Sequence, residues 1–164
     1  MKNKAVVLGT NYYIALSTIR CLGRNGVPVV TIDYSTQRTY AAKSKYLSER
    51  LLAPHYKNEK EKFIEFLIDY ARKQDCPPVL IPCHDLQVEV IDEYLEELKK
   101  YYLIPQTEPG LYTRLMDKGS LAKLAREMGV AVPETLSSSE ENLLEKVGTV
   151  IKYPCIVKPV DSPT

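Results

Sequence analysis

Short, wholly apolar runs alternate with amphipathic stretches along the first hundred residues. Ala5-Val6-Val7-Leu8 contains no polar position and is ended by Gly9, which suits a strand buried on both faces. The spacing then becomes helical: Ile14, Ala15, Thr18, Ile19 and Leu22 share one stripe, and Gly26 closes the segment. Residues 27–32 form the next apolar run, with Asp33 at its C-terminal end. Residues 34–45 are polar and basic, a loop by composition, and Leu51 and Leu52 predict a brief strand before Pro54.

The alternation continues. Asn58, with Glu61 three residues on, reads as a capping box for a helix that turns Phe63, Phe66, Leu67, Tyr70 and Ala71 to the core. Pro78-Val79-Leu80-Ile81-Pro82 is another buried strand. Asp85 reads as the cap of a helix carrying Val88, Ile91, Leu95 and Leu98, and Tyr102-Leu103-Ile104 as a last strand stopped by Pro105. Such alternation predicts an α/β fold: a mainly parallel, Rossmann-like sheet with helices on both faces.

After Pro105 the pattern changes, so the sequence predicts one domain over 1–105 and the incomplete beginning of another over 106–164. A helix is expected over 118–128, with Leu121, Leu124, Ala125 and Met128 on one stripe and Gly129 behind it. Residues 130–136 read as extended. Ser138 and Glu141 read as the cap of a helix containing Leu143, Leu144 and Val147, and Cys155-Ile156-Val157 as a final strand. This second unit has too few elements to bury a core alone, and uncovered apolar faces make a homo-oligomer an expectation.

Composition narrows the classes. The net charge is +1, which gives no electrostatic case for nucleic acid. No apolar run approaches the roughly 20 residues that cross a bilayer, and the N-terminus has no secretory h-region, so a cytoplasmic protein is expected. Cys21, Cys76, Cys83 and Cys155 form no Cys-x-x-Cys pair, and only His55 and His84 accompany them, a poor set for zinc. Cys83 and Cys155 read as small core residues.

Several residues carry candidate chemistry. The turn Gly9-Thr10-Asn11 places Asn11 and Ile14 where a dinucleotide-binding turn has its second and third glycines, which argues against NAD or FAD. The turn is then either an anion site at a helix N-terminus or a purely structural one. Arg38 and Lys45 lie in the basic loop expected at the C-terminal edge of the sheet. That loop either holds a substrate carboxylate or is a solvated face. His84 and Asp85 follow a strand at the same edge, as substrate contacts or as a surface residue and a helix cap. Lys118 opens a helix and Lys158 leaves an apolar strand, where an ammonium is costly to desolvate without an anion.

These residues resemble the ATP-grasp superfamily, and within it the carboxylate–amine ligase branch related to D-aspartate ligase. The pattern D-K-x-x-x-x-x-L-A-x-x-x-G-V-x-V-P-x-T stands here as Asp117-Lys118, Leu124-Ala125, Gly129-Val130, Val132-Pro133 and Thr135. Y-P-x-[IV]-[IV]-K-P stands as Tyr153-Pro154 through Lys158-Pro159. Ala15-Leu16-Ser17, Leu22-Gly23-Arg24, Gly26-Val27-Pro28-Val29 and Ser44-Lys45-Tyr46 are similar to the branch's N-terminal domain. The resemblance implies a pre-ATP-grasp domain followed by the start of an ATP-grasp domain. It implies an enzyme in which ATP phosphorylates a carboxylate and an amine attacks the acyl phosphate. Lys118 and Lys158 would bind ATP, and the first domain would hold the small-molecule substrate. The glycine-rich loop and the magnesium ligands would lie beyond Thr164, with Asp161-Ser162-Pro163-Thr164 as the loop's first residues, so this piece is expected to be inactive alone. The alternative is a non-catalytic α/β module that binds a small acid or assembles with another chain.

Overall fold

A computed structural model of the chain describes residues 3–159. The expected loop start over 161–164 lies outside the described residues. Four strands, β1 (Ala5–Leu8), β2 (Val29–Asp33), β3 (Leu47–Leu52) and β4 (Val79–Ile81), form one sheet in the order β3-β2-β1-β4. Every pairing is parallel, with Val6 opposite both Val30 and Leu80. The helices are α1 (Tyr13–Arg24), α2 (Lys60–Arg72), α3 (Asp85–Glu93), α4 (Leu95–Leu98), α5 (Leu111–Met116), α6 (Lys118–Glu127) and α7 (Leu143–Lys146).

Side chains alternate across a strand, so β1 and β2 feed two cores. Val6, Leu8, Val30 and Ile32 meet Phe63, Ile64, Leu67 and Ile68 of α2 and Val90 and Ile91 of α3. Val7 and Val29 meet Ala15 and Ile19 of α1 together with Cys83. Helices therefore cover both faces, as expected of continuous apolar strands. Gly23 lets α1 lie against the chain leading into β3: a Cβ there would stand 2.3 Å from Tyr46 Cβ.

Local signals were weaker guides. The chain first makes a turn in which the Glu59 N–H donates to His55 O (2.8 Å), so α2 starts at Lys60, and its N-cap makes no side-chain bond. The Asn58–Glu61 capping box is thus not formed. Asp85 is the first residue of α3, whose N-cap is His84, again without a side-chain cap bond. The strand expected over 102–104 shrinks to one bridge between Val79 and Leu103.

The chain divides into two compact units, Met1–Tyr112 and Thr113–Thr164. Gln106 belongs to the first, because its buried amide donates to Asp92 Oδ1, which also accepts from the Gly110 N–H (2.7 Å). In the second unit α6 forms where the stripe predicts it, capped by Asp117, which accepts from the Ser120 N–H (2.6 Å). Its stripe stays open to solvent, with Met128 72% exposed. The Ser138–Glu141 cap does not form: the Ser137 and Ser139 hydroxyls pair with each other (2.9 Å), and α7 starts behind Asn142. Residues 155–157 are exposed coil rather than a strand, and Cys155 is exposed rather than a core residue. Among the described residues no neighbouring strand offers them hydrogen bonds.

Candidate functional site

In a parallel sheet every strand ends on the same edge, and open α/β folds place ligands there. Four segments leave that edge. After β1, Gly9 has φ +78°, in the left-handed region. A Cβ on it would also stand 3.0 Å from Oε1 of the buried Gln87, so geometry and packing both select glycine. Thr10 is fully buried. Its N–H donates to Asp33 Oδ1 (3.1 Å), its hydroxyl to Asp33 Oδ2 (2.6 Å), and its carbonyl accepts from the Ala41 N–H (3.0 Å). One residue thus ties the ends of β1 and β2 to the long loop that follows. The Thr10 amide, which the sequence left open to an outside anion, already serves the chain's own carboxylate.

Asp33 is buried at the end of β2. Burial pushes its pKa up, against the two Thr10 hydrogen bonds and the Arg50 charge, which pull it down. Arg50 in turn donates to Thr39 Oγ1 (2.8 Å), and the Thr39 hydroxyl donates to Thr36 O (3.1 Å). A cavity of about 340 Å³ opens here. Asn11, Asp33, Tyr34 and Ser35 line it from the two strand ends, and Gln37, Arg38 and Thr39 from the loop. Arg38 stands at φ +53°, uncommon for a residue with a side chain, and has no ion pair among the described residues.

The expected substrate contacts therefore divide. Asn11 and Arg38 line one cavity, and Gly9 and Thr10 build the turn beside it. Lys45 does not join them. It precedes β3 by two residues, and in a parallel sheet that position is the amino-terminal edge, opposite the one predicted. Its ammonium lies 5.3 Å from the Tyr46 ring centroid. His84 follows β4 on the predicted edge, but its ring stacks on Tyr12 at 4.3 Å, filling the gap where the strand order reverses between β1 and β4. Its buried Nδ1 has no partner. Asp85 is exposed.

An aromatic group at this edge escaped the sequence reading. Tyr34 meets His55 (4.1 Å) and Tyr56 (5.5 Å), and Tyr56 meets Phe63 (6.2 Å). The Tyr56 hydroxyl is pushed up to about 12 by burial, with Tyr34 and Tyr12 adding to the effect.

In the second unit, Lys118 is the first residue of α6, and Lys158 stands in exposed coil. The first unit also forms a groove of about 310 Å³, to which Glu61, Ile64, Arg72, Tyr94 and Glu97 contribute. No group of three His, Cys, Asp or Glu suited to a metal occurs among the described residues. Among them no helix is long and apolar enough to cross a membrane.

These features define the chain by class: an open parallel α/β domain with a polar cavity at its carboxyl edge, followed by a second, smaller unit in which Lys118 opens a capped helix. No family model matches the chain. It is 28% identical over 107 residues to D-aspartate ligase of Enterococcus faecium (strain Aus0004), a match taking in 61% of this chain and 25% of that protein. The chain thus spans about a quarter of the length of the curated relative it matches. Among solved structures it is similar to the biotin carboxylase domain dimer of Hydrogenobacter thermophilus 2-oxoglutarate carboxylase, in complex with MgADP, ADP and bicarbonate. The TM-score is 0.53 at 18% identity, covering 82% of this chain and 30% of that one, a likeness of fold. The resemblance read from the motifs holds: this chain is similar to the N-terminal portion of an ATP-grasp carboxylate–amine ligase.

Proposed function

We propose that the chain is the N-terminal part of an ATP-dependent ligase that activates a carboxylate as an acyl phosphate for attack by an amine. The observation that carries this reading is the 107-residue likeness to D-aspartate ligase, with the Asp117-Lys118 motif standing at a capped helix start. The carboxyl edge of the first unit, through Asn11, Arg38 and the Gly9–Thr10 turn, holds the acid. Lys45, His84 and Asp85 are given no contact to it. ATP, when bound, supplies the phosphoryl group. Lys118 and Lys158 meet its phosphates, each charge-assisted contact contributing roughly 1.5–3 kcal/mol. They also offset charge that builds on the group in transfer. The donor set suits phosphate; the described residues offer no acidic cluster for magnesium, so no step is assigned to the metal.

Two measurements test the proposal. Incubation with ATP, magnesium and amino acids should release no ADP from this chain alone. Calorimetric titration of MgATP should show higher affinity for a chain extended past Thr164, and lower affinity once Lys118 is replaced by Ala. Equal affinity with and without the extension would favour the binding-module alternative instead.

A further inference from the structure

We propose that the cavity at the ends of β1 and β2 takes a small carboxylate whose carbon skeleton also carries several hydroxyl groups, that is, a sugar acid. This rests on the reading that the carboxyl edge of the first unit binds substrate, and it names the chemistry of that substrate.

The charges come first. Arg38 is the one cation among the lining residues and has no ion pair among the described residues. Asp33 is the one anion, but its oxygens each accept from Thr10 and its charge is faced by Arg50. What the cavity offers a ligand is therefore a site for a single anionic group, which a guanidinium meets in a fork. The backbone of Arg38 is held at φ +53°, and such outliers persist where the surroundings impose them.

The rest of the lining decides what surrounds that anion. Asn11, Gln37, Ser35 and Thr39 are neutral hydrogen-bonding residues; no lining residue is aliphatic, and Tyr34 supplies the only ring. Thr39 and Ser35 already bond within the loop, but a plain fatty acid would cover the Asn11 and Gln37 amides without pairing them. A ligand bearing hydroxyls along its skeleton would pair with them, and each Asp33 oxygen keeps a lone pair able to accept from one. The volume of about 340 Å³ lies at the low end of ligand pockets, room for a monosaccharide but not a dinucleotide.

Titration of the isotopically labelled chain, followed by amide chemical shifts, tests this with five probes: ribose 5-phosphate, gluconate, ribose, inorganic phosphate and butyrate. Gluconate should bind about tenfold more tightly than each of the last three, with shifts centred on residues 33–39. Ribose 5-phosphate binding there more tightly than gluconate would overturn the sugar-acid assignment. Arg38→Gln, at an exposed side chain, should bring gluconate down to the level of ribose. Butyrate binding at 33–39 as tightly as gluconate and ribose 5-phosphate would overturn the polyol proposal while leaving the carboxylate-binding edge intact. Ribose matching the anions, or indifference to Arg38→Gln, would overturn it too. No shifts at 33–39 with any probe would overturn both.

Discussion

Helices α2 and α6 carry similar apolar stripes, yet they end in opposite surroundings. Phe63 and Leu67 of α2 are almost or wholly removed from solvent, because the β1–β2 face lies across from them. Leu121 of α6 is 45% exposed, and the second unit buries no apolar side chain among the described residues. Periodicity tells which face of a helix is to be covered; it does not supply the cover. The first unit meets its own demand with a sheet that is apolar on both sides, whereas the second leaves Leu144, Ile156 and Val157 facing water.

Core truncation should expose that difference most strongly. Leu67→Ala removes a fully buried side chain and should destabilise the first unit by about 2–5 kcal/mol in urea unfolding. Leu144→Ala, at a side chain 88% exposed, should stay within about 0.5 kcal/mol. Similar losses at the two sites would erase the distinction.

A gain in volume should act on the first unit too, though less. Alanine at Gly23 would improve helix propensity, by about 1 kcal/mol, but its methyl would collide with the Tyr46 backbone-proximal atoms 2.3 and 2.7 Å away. These atoms sit near the main chain and cannot swing aside, so the collision wins and Gly23→Ala should cost about 1–3 kcal/mol net. A smaller effect is expected from Tyr102→Phe. The buried hydroxyl donates to Leu67 O at 2.7 Å, and its loss should cost about 1 kcal/mol. Gly129→Ala provides the counterpart in the second unit. A Cβ there meets nothing, so any cost comes from φ +72° alone.

The same contrast explains what the sequence revealed of the fold. β1 was legible because a parallel strand buried on both faces is apolar without interruption, and β4 because its apolar run is bracketed by prolines, although only Leu80 in it is fully buried. β3 was legible only at Leu51 and Leu52, since this edge strand runs Leu47-Ser48-Glu49-Arg50 before them, with Leu47 half-buried and the other three exposed. Capping signals failed where the turn beforehand offered the backbone other partners, as His55 does for Glu59. The final strand failed because an apolar run needs a neighbouring ladder as well as a composition. Of the cavity's lining, Asn11 and Arg38 could be read from the sequence as polar residues after strand ends. Lys45 misled because a crossover loop starts at one edge of the sheet and finishes at the other. Tyr34, His55 and Tyr56 were missed because they are brought together from two separate loops.

The two units should also differ in the sign of a titration. Burial raises the pKa of Asp33, so its protonated form is favoured in the folded state. The stability it contributes is fully present below the ordinary aspartate value of about 3.9 and is lost as pH rises through the raised folded value. Asp117 behaves in reverse: the hydrogen bond from Ser120 holds its carboxylate below the usual range. Its contribution to the start of α6 is present above about 3.9 and is lost as pH falls through the depressed folded value. Carboxyl carbon shifts followed from pH 7 to pH 2 should therefore place the two midpoints on opposite sides of that ordinary value. The Ser120 hydroxyl lowers Asp117 most and the Ser120 N–H adds to it, so Ser120→Ala should move the Asp117 midpoint up toward the ordinary value, while Thr10→Val, which removes one donor to Asp33, should move the Asp33 midpoint higher still. Two midpoints on the same side would mean that the carboxylate of the first unit is not desolvated, and that the units differ less than their packing implies.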